Sequence, residues 1–204
     1  MSIVTLNDRA VRSVSAFGSL NTGSMVFIKK LTASSSSTLS FVNGTSDVVL
    51  DSTYKEYVFT FKNVHPVDNS IDFLVNFRDG GTDYDASKTT TFFNAEHAEA
   101  DSTTGLSYIG AKDLAQSTDF QPLTITTGNR SDESVSGYLH LFDPSSTTFV
   151  KHFIARTNNY VSNNYTEDSF IAGYCNTTTA IDGVQFKFAS GNIDSGDICL
   201  YGIL

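Results

Sequence analysis

The side chains best suited to chemistry in this sequence are four histidines and a scatter of carboxylates in turn-like stretches. His140 and His152 lie on two alternating runs that flank a turn, so they could meet across a hairpin and offer two nitrogen ligands to a metal. Hydrogen-bonded structural histidines are far commoner than such pairs. Asp79, Asp83 and Asp85 in DGGTDYD, and Asp194 and Asp197 in NIDSGD, supply oxygen ligands of the kind calcium uses. Neither stretch has EF-hand spacing, and turn chemistry explains both equally well. Glu96, His97, Glu99 and Asp101 have the residue types of an acid/base cluster, against which stands a solvated acidic loop. Tyr54, Tyr84, Tyr108, Tyr160 and Tyr165 sit at strand ends or in loops, where a sugar could stack. No G-x-S-x-G, H-E-x-x-H or G-x-x-x-x-G-K-[ST] motif occurs. The expectation is a protein with no catalytic residue, no cofactor site and no metal ligand.

The elements that would carry these residues read as strands. Residues 134–156 are the clearest case: Tyr138, His140 and Phe142 alternate with Leu139 and Leu141, and Phe149, Lys151 and Phe153 alternate with Val150, His152 and Ile154. Between them Asp143-Pro144-Ser145-Ser146 suits a type I turn, with an acceptor side chain first and proline fixing φ second. Leu139, Leu141, Phe149 and Phe153 are the expected core or interface positions of this hairpin. Similar runs occur at 54–64, where Tyr57, Phe59 and Phe61 share a face, and at 71–77, 89–95, 123–127, 160–165, 170–175, 184–188 and 198–203. Residues 111–116 have room for one helical turn. About ten short strands bounded by Gly, Asn and Asp predict an all-β antiparallel sandwich over 25–204, with a jelly roll as the expected topology. Residues 1–24 differ, and Ile3, Leu6, Val11 and Val14 within them could form an arm that docks on a neighbour.

Composition narrows the function. A net charge of −9 without a basic stripe argues against nucleic acid as a partner. No apolar run is long enough to span a membrane, and the first residues lack the plan of a secretory signal, so the expectation is a chain made in the cytoplasm. Cys175 and Cys199 each fall inside a strand-like run and read as reduced, buried side chains, with a bridge between them left open.

Several phrases together resemble structural proteins of tailed bacteriophages, particularly marine and cyanobacterial phages: LTASSSSTLSF at 31–41, STYKEYVFTFKNVHP at 52–66, TTTFFNAEHAE at 89–99, LHLFDPSSTTFVKHF at 139–153 and SGNIDSGDICLYGI at 190–203. The resemblance implies a non-enzymatic component of the virion, assembled in the host cytoplasm. It implies a homotrimeric β-sandwich on the head surface or in the tail-fibre apparatus, in contact with other virion proteins. It supplies no catalytic residues. The competing reading is a domain that binds a host-surface glycan through exposed tyrosines; a depolymerase-type hydrolase has only scattered carboxylates behind it.

Overall fold

A computed structural model of the chain describes residues 24–204. The expected arm residues Ile3, Leu6, Val11 and Val14 lie outside the described residues. The strands are β1 (Met25–Thr32), β2 (Leu39–Val42), β3 (Glu56–Pro66), β4 (Phe73–Arg78), β5 (Lys88–Ala98), β6 (Thr104–Tyr108), β7 (Gln121–Pro122), β8 (Val135–Phe142), β9 (Lys151–Val161), β10 (Tyr165–Cys175), β11 (Gly183–Phe188) and β12 (Ile193–Ile203). They form an eight-stranded sheet in the order β1-β12-β3-β8-β9-β10-β5-β6 and a four-stranded sheet in the order β2-β11-β4-β7. Both sheets are antiparallel, and they pack as a sandwich.

Period-2 alternation decides which side chains enter the core. On β3, Tyr57, Phe59 and Phe61 are buried, whereas Glu56, Thr60 and Lys62 point the other way. On β8 and β9, Leu139, Leu141, Phe153 and Ala155 are buried with them. The short sheet answers with Phe41, Phe73, Phe77, Phe186 and Phe188. Phe186 is the junction, with its ring centroid 5.5 Å from Phe59, 5.2 Å from Phe61, 5.9 Å from Phe73 and 6.3 Å from Phe41. Edge-to-face and offset contacts of this kind add to the burial that joins two sheets.

Five sequence expectations need correction, the first being 123–127, where residues 123–126 are bends after β7 and Thr127 makes only isolated bridges, to Ile71 and Val161. The turn after β8 is closed by a 3.0 Å bond from the Ser146 amide to the Asp143 carbonyl, but the connection continues to residue 150 and β9 starts at Lys151. Phe149 is therefore outside the strand and 70% exposed, while Leu139, Leu141 and Phe153 are fully buried. The cause is tethering to other segments: the Asp143 amide donates to the Lys55 carbonyl, and the Pro144 carbonyl accepts from Ile181. Residues 160–165 are not one strand: Tyr160 and Val161 end β9, Tyr165 opens β10, and residues 162–164 form the tight turn between them, where Asn164 takes a φ of 63°, a conformation asparagine tolerates. Residues 111–116 form turns instead of a helical turn, because the backbone of Leu114 and Ser117 bonds to β5. Glu96, His97 and Ala98, expected in a loop, extend β5.

One glycine is required by the fold. Gly196 sits where β12 shifts register against β3, at a φ of 114°, and a Cβ there would lie 2.5 Å from the Asn63 carbonyl oxygen. Truncating Phe186 to alanine should cost about 3–5 kcal/mol, the range for a large aromatic removed from a packed core. Urea denaturation measures this as a lower midpoint with an unchanged slope.

Candidate functional site

The eight-stranded sheet has a second face, turned away from the core, and the strand register assembles it row by row. One row runs Phe27, Tyr201, Val58, His140, Ile154, Ala172, Thr91 from β1 to β5. The adjacent row runs Lys30, Cys199, Thr60, Tyr138, Arg156, Phe170, Phe93, Tyr108 and reaches β6. Phe93 and Phe170 stack with centroids 4.9 Å apart and planes 3° from parallel. The Arg156 guanidinium lies 4.7 Å over the Phe170 ring and grips the Asp168 carboxylate with bonds of 2.9 and 2.6 Å. Leu106, Tyr108, Ile154, Phe93 and Tyr138 are 72, 58, 49, 40 and 40% exposed. Exposed apolar side chains gathered on one face are a general feature of docking surfaces.

The residues singled out by type scatter across the molecule. His140 and His152 are both on the outward face, but their cross-strand partners are Ile154 and Tyr174, not each other. His140 packs between Tyr138 and Phe142, with centroid distances of 5.5 and 6.0 Å. Among the described residues no group of three His, Cys, Asp or Glu side chains is placed to hold a metal ion. Asp197 is tied up by the Thr32 hydroxyl at 2.6 Å, and Asp194 faces His65 at 3.7 Å. Of the acid/base quartet, Glu96 pairs with Glu167 on the core side, while His97 faces outward and meets Asp101 at 3.1 Å. Glu99 accepts the Tyr160 hydroxyl at 2.8 Å. Tyr54 packs on Gly202 and Tyr84 on Gly183, whereas Tyr108 lies on the outward face with its hydroxyl bonded to Asp113. Cys175 and Cys199 are free, with β3, β8 and β9 between their strands.

Sequence reasoning missed a buried polar seam on the core side of the same sheet. Lys88, Cys175 and Lys151 stand side by side on β5, β10 and β9. The Lys88 ammonium donates to Asn76 Oδ1 at 2.6 Å and to the Ala86 carbonyl at 2.9 Å; that of Lys151 donates to the carbonyls of Phe149 and Thr177. Burial pulls Lys88 down to about 8 and pushes the Cys175 thiol up to about 12. Further along, Asn159, Glu167 and Glu96 form one cross-strand row, and Thr157, Ser169 and Asn94 the next. The segment 109–127 lies over these rows: Thr157 donates to the Leu123 carbonyl, Asn159 to the Ile125 carbonyl, and Thr90 to Gln121. Among the described residues, Glu167 Oε2, Asn159 Oδ1 and Ser169 Oγ are buried without a hydrogen-bond partner. The available signal was the presence of Lys, Glu and Asn at inward positions of strands whose outward positions include Phe93, Ile154, Phe170 and Tyr174.

Burial, and then the Glu96 carboxylate, push Glu167 up to about 7 from an ordinary 4.5. Between those two values the folded protein keeps a proton that the unfolded chain has released, so stability falls as pH rises through that window. Replacing Glu167 with glutamine should leave stability little changed below the window. At pH 8 it should add about 1–2 kcal/mol, less than the full shift implies because nearby solvent relieves part of the charge. Denaturant melts of both proteins across that pH range measure the difference.

No protein-family model, no curated protein and no solved structure matches this chain.

Proposed function

We propose that the chain is a non-enzymatic structural component of a tailed-bacteriophage virion, a β-sandwich displayed on the particle as a head decoration, knob or tail-fibre module. The observation that carries this reading is the outward face of the eight-stranded sheet: a stiff, hydrogen-bonded surface bearing Phe93, Phe170, Ile154 and Tyr138, with its one strong ion pair closed on itself. A surface of this kind acts by being covered. The phrase-level resemblance to phage structural proteins supplies the setting, and the anchoring role of Ile3, Leu6, Val11 and Val14 belongs to the same proposal.

We infer further that the sandwich is a jelly roll enlarged by two hairpins. The orders β1-β12-β3-β8 and β2-β11-β4-β7 are two interleaved four-stranded sheets, which supports that topology. Hairpins β5–β6 and β9–β10 then extend the first sheet and carry the exposed Phe93, Leu106, Tyr108 and Ile154.

A second reading, recognition of a host-surface glycan, is favoured by one feature. Ser136, Tyr138, Arg156, Asn158 and Asp168 line a shallow outward cleft in which an aromatic ring adjoins hydrogen-bonding groups. Mass spectrometry of purified particles, produced in cells expressing a tagged copy of the chain, decides between these roles. Incorporation at a fixed multiple of the other virion proteins is expected. A chain absent from particles that binds envelope polysaccharide on an array would overturn the structural role.

A further inference from the structure

We propose that the outward face of β8, β9, β10, β5 and β6 is the surface through which a second copy of this chain packs against the first. This deepens the structural role above and rests on it by naming the partner.

Three observations favour a second copy over other occupants. The first is area. Five strands spaced ~4.8 Å apart, over about seven residues of ~3.3 Å each, present ~550 Å² per copy. Two such faces bury ~1,100 Å², above the ~1,000 Å² a specific interface needs.

The second observation is charge. The chain carries a net charge of −9, so two copies repel each other over most of their surface. On this face Arg156 is held by its own Asp168, and the flanking positions are Phe93, Phe170, Ile154, Tyr138 and Ala172. The centre of the face is locally neutral, with Asp113 at Tyr108 and Asp101 at His97 on its rim, so it is where two acidic molecules can approach, and the guanidinium and carboxylate already satisfy one another before they are covered.

The third is where the polar handles lie. Phe93, Phe170, Ile154 and Leu106 have no side-chain hydrogen-bonding group, and the polar side chains of the face, Ser136, Asn158 and Asp168, gather beside Tyr138 and Arg156, whereas an oligosaccharide needs such groups around each stacked ring. Apolar side chains of this type instead interdigitate when two sheets pack face to face at ~10 Å.

Sedimentation velocity over a wide concentration range tests the proposal on the full-length chain. The wild-type protein should sediment as a dimer, the closed assembly that packing one surface against its own copy gives. Phe170→Glu should weaken association ~30-fold or more, the effect of losing a central anchor. Ile154→Glu provides a second route should the first variant misfold, and far-UV circular dichroism identifies which variants keep the fold. Val67→Glu, exposed but outside this face, should associate as the wild type does. A wild-type monomer at every concentration would overturn the proposal, as would folded Phe170→Glu and Ile154→Glu variants that associate normally. A monomer still found in particles overturns only this face; an oligomer absent from particles overturns only the virion role.

Discussion

The ring of Phe186 meets rings from both sheets, and the position of that contact governs much of the molecule. It pins a four-stranded sheet over the β12, β3 and β8 portion of an eight-stranded one. A sheet half as wide leaves the remaining strands without a sheet above them. Backbone and side chains there still have to be shielded or satisfied.

The chain covers the rest with irregular backbone. Residues 109–127 bond to β5 along its edge and then pass beneath β9 and β10, and a segment with free carbonyls needs donors below it. Thr157 and Asn159 supply those donors, and Thr90 donates to the Gln121 side chain, which explains why the inward face turns from phenylalanine under the short sheet to polar residues under the segment. The arrangement has a cost at Glu167, whose carboxyl is enclosed beside Glu96. The same strands carry the aromatic residues on their other side. β9 and β10 thus carry Thr157, Asn159, Glu167 and Ser169 toward the covering segment, and Ile154, Phe170 and the Arg156–Asp168 pair on the opposite face.

Strands with one apolar face were legible in the sequence. Tyr57, Phe59 and Phe61 alternate with polar neighbours, and Leu139, Leu141 and Phe153 could be placed inward from pattern alone. The β4 strand was harder, because Asn76 is buried too, bonded through its side chain to the Thr118 carbonyl. Phe149 continued the alternation yet belongs to a connection held by contacts with Lys55 and Ile181, which are distant in sequence. Lys151 shared a face with Phe149 and Phe153 in the pattern, but what makes that position tolerable, as at Lys88, is visible only in the folded chain, which brings carbonyl oxygens to both ammonium groups. The outward face was visible as residues but not as a surface. Phe93, Tyr138, Ile154 and Phe170 come from four strands, and pairing alone puts them together.

The central claim is that this outward face is covered when the protein does its work. Hydroxyl-radical footprinting of the native protein, read residue by residue, tests it most directly. Phe149, 70% exposed and away from the face, provides an internal reference for full reactivity. Low reactivity at Phe93, Tyr138 and Phe170 in the assembled protein, rising toward that of Phe149 when the assembly is diluted apart, is the result this account predicts. Reactivity at those three that follows their exposure in the isolated chain and does not change with assembly would contradict it.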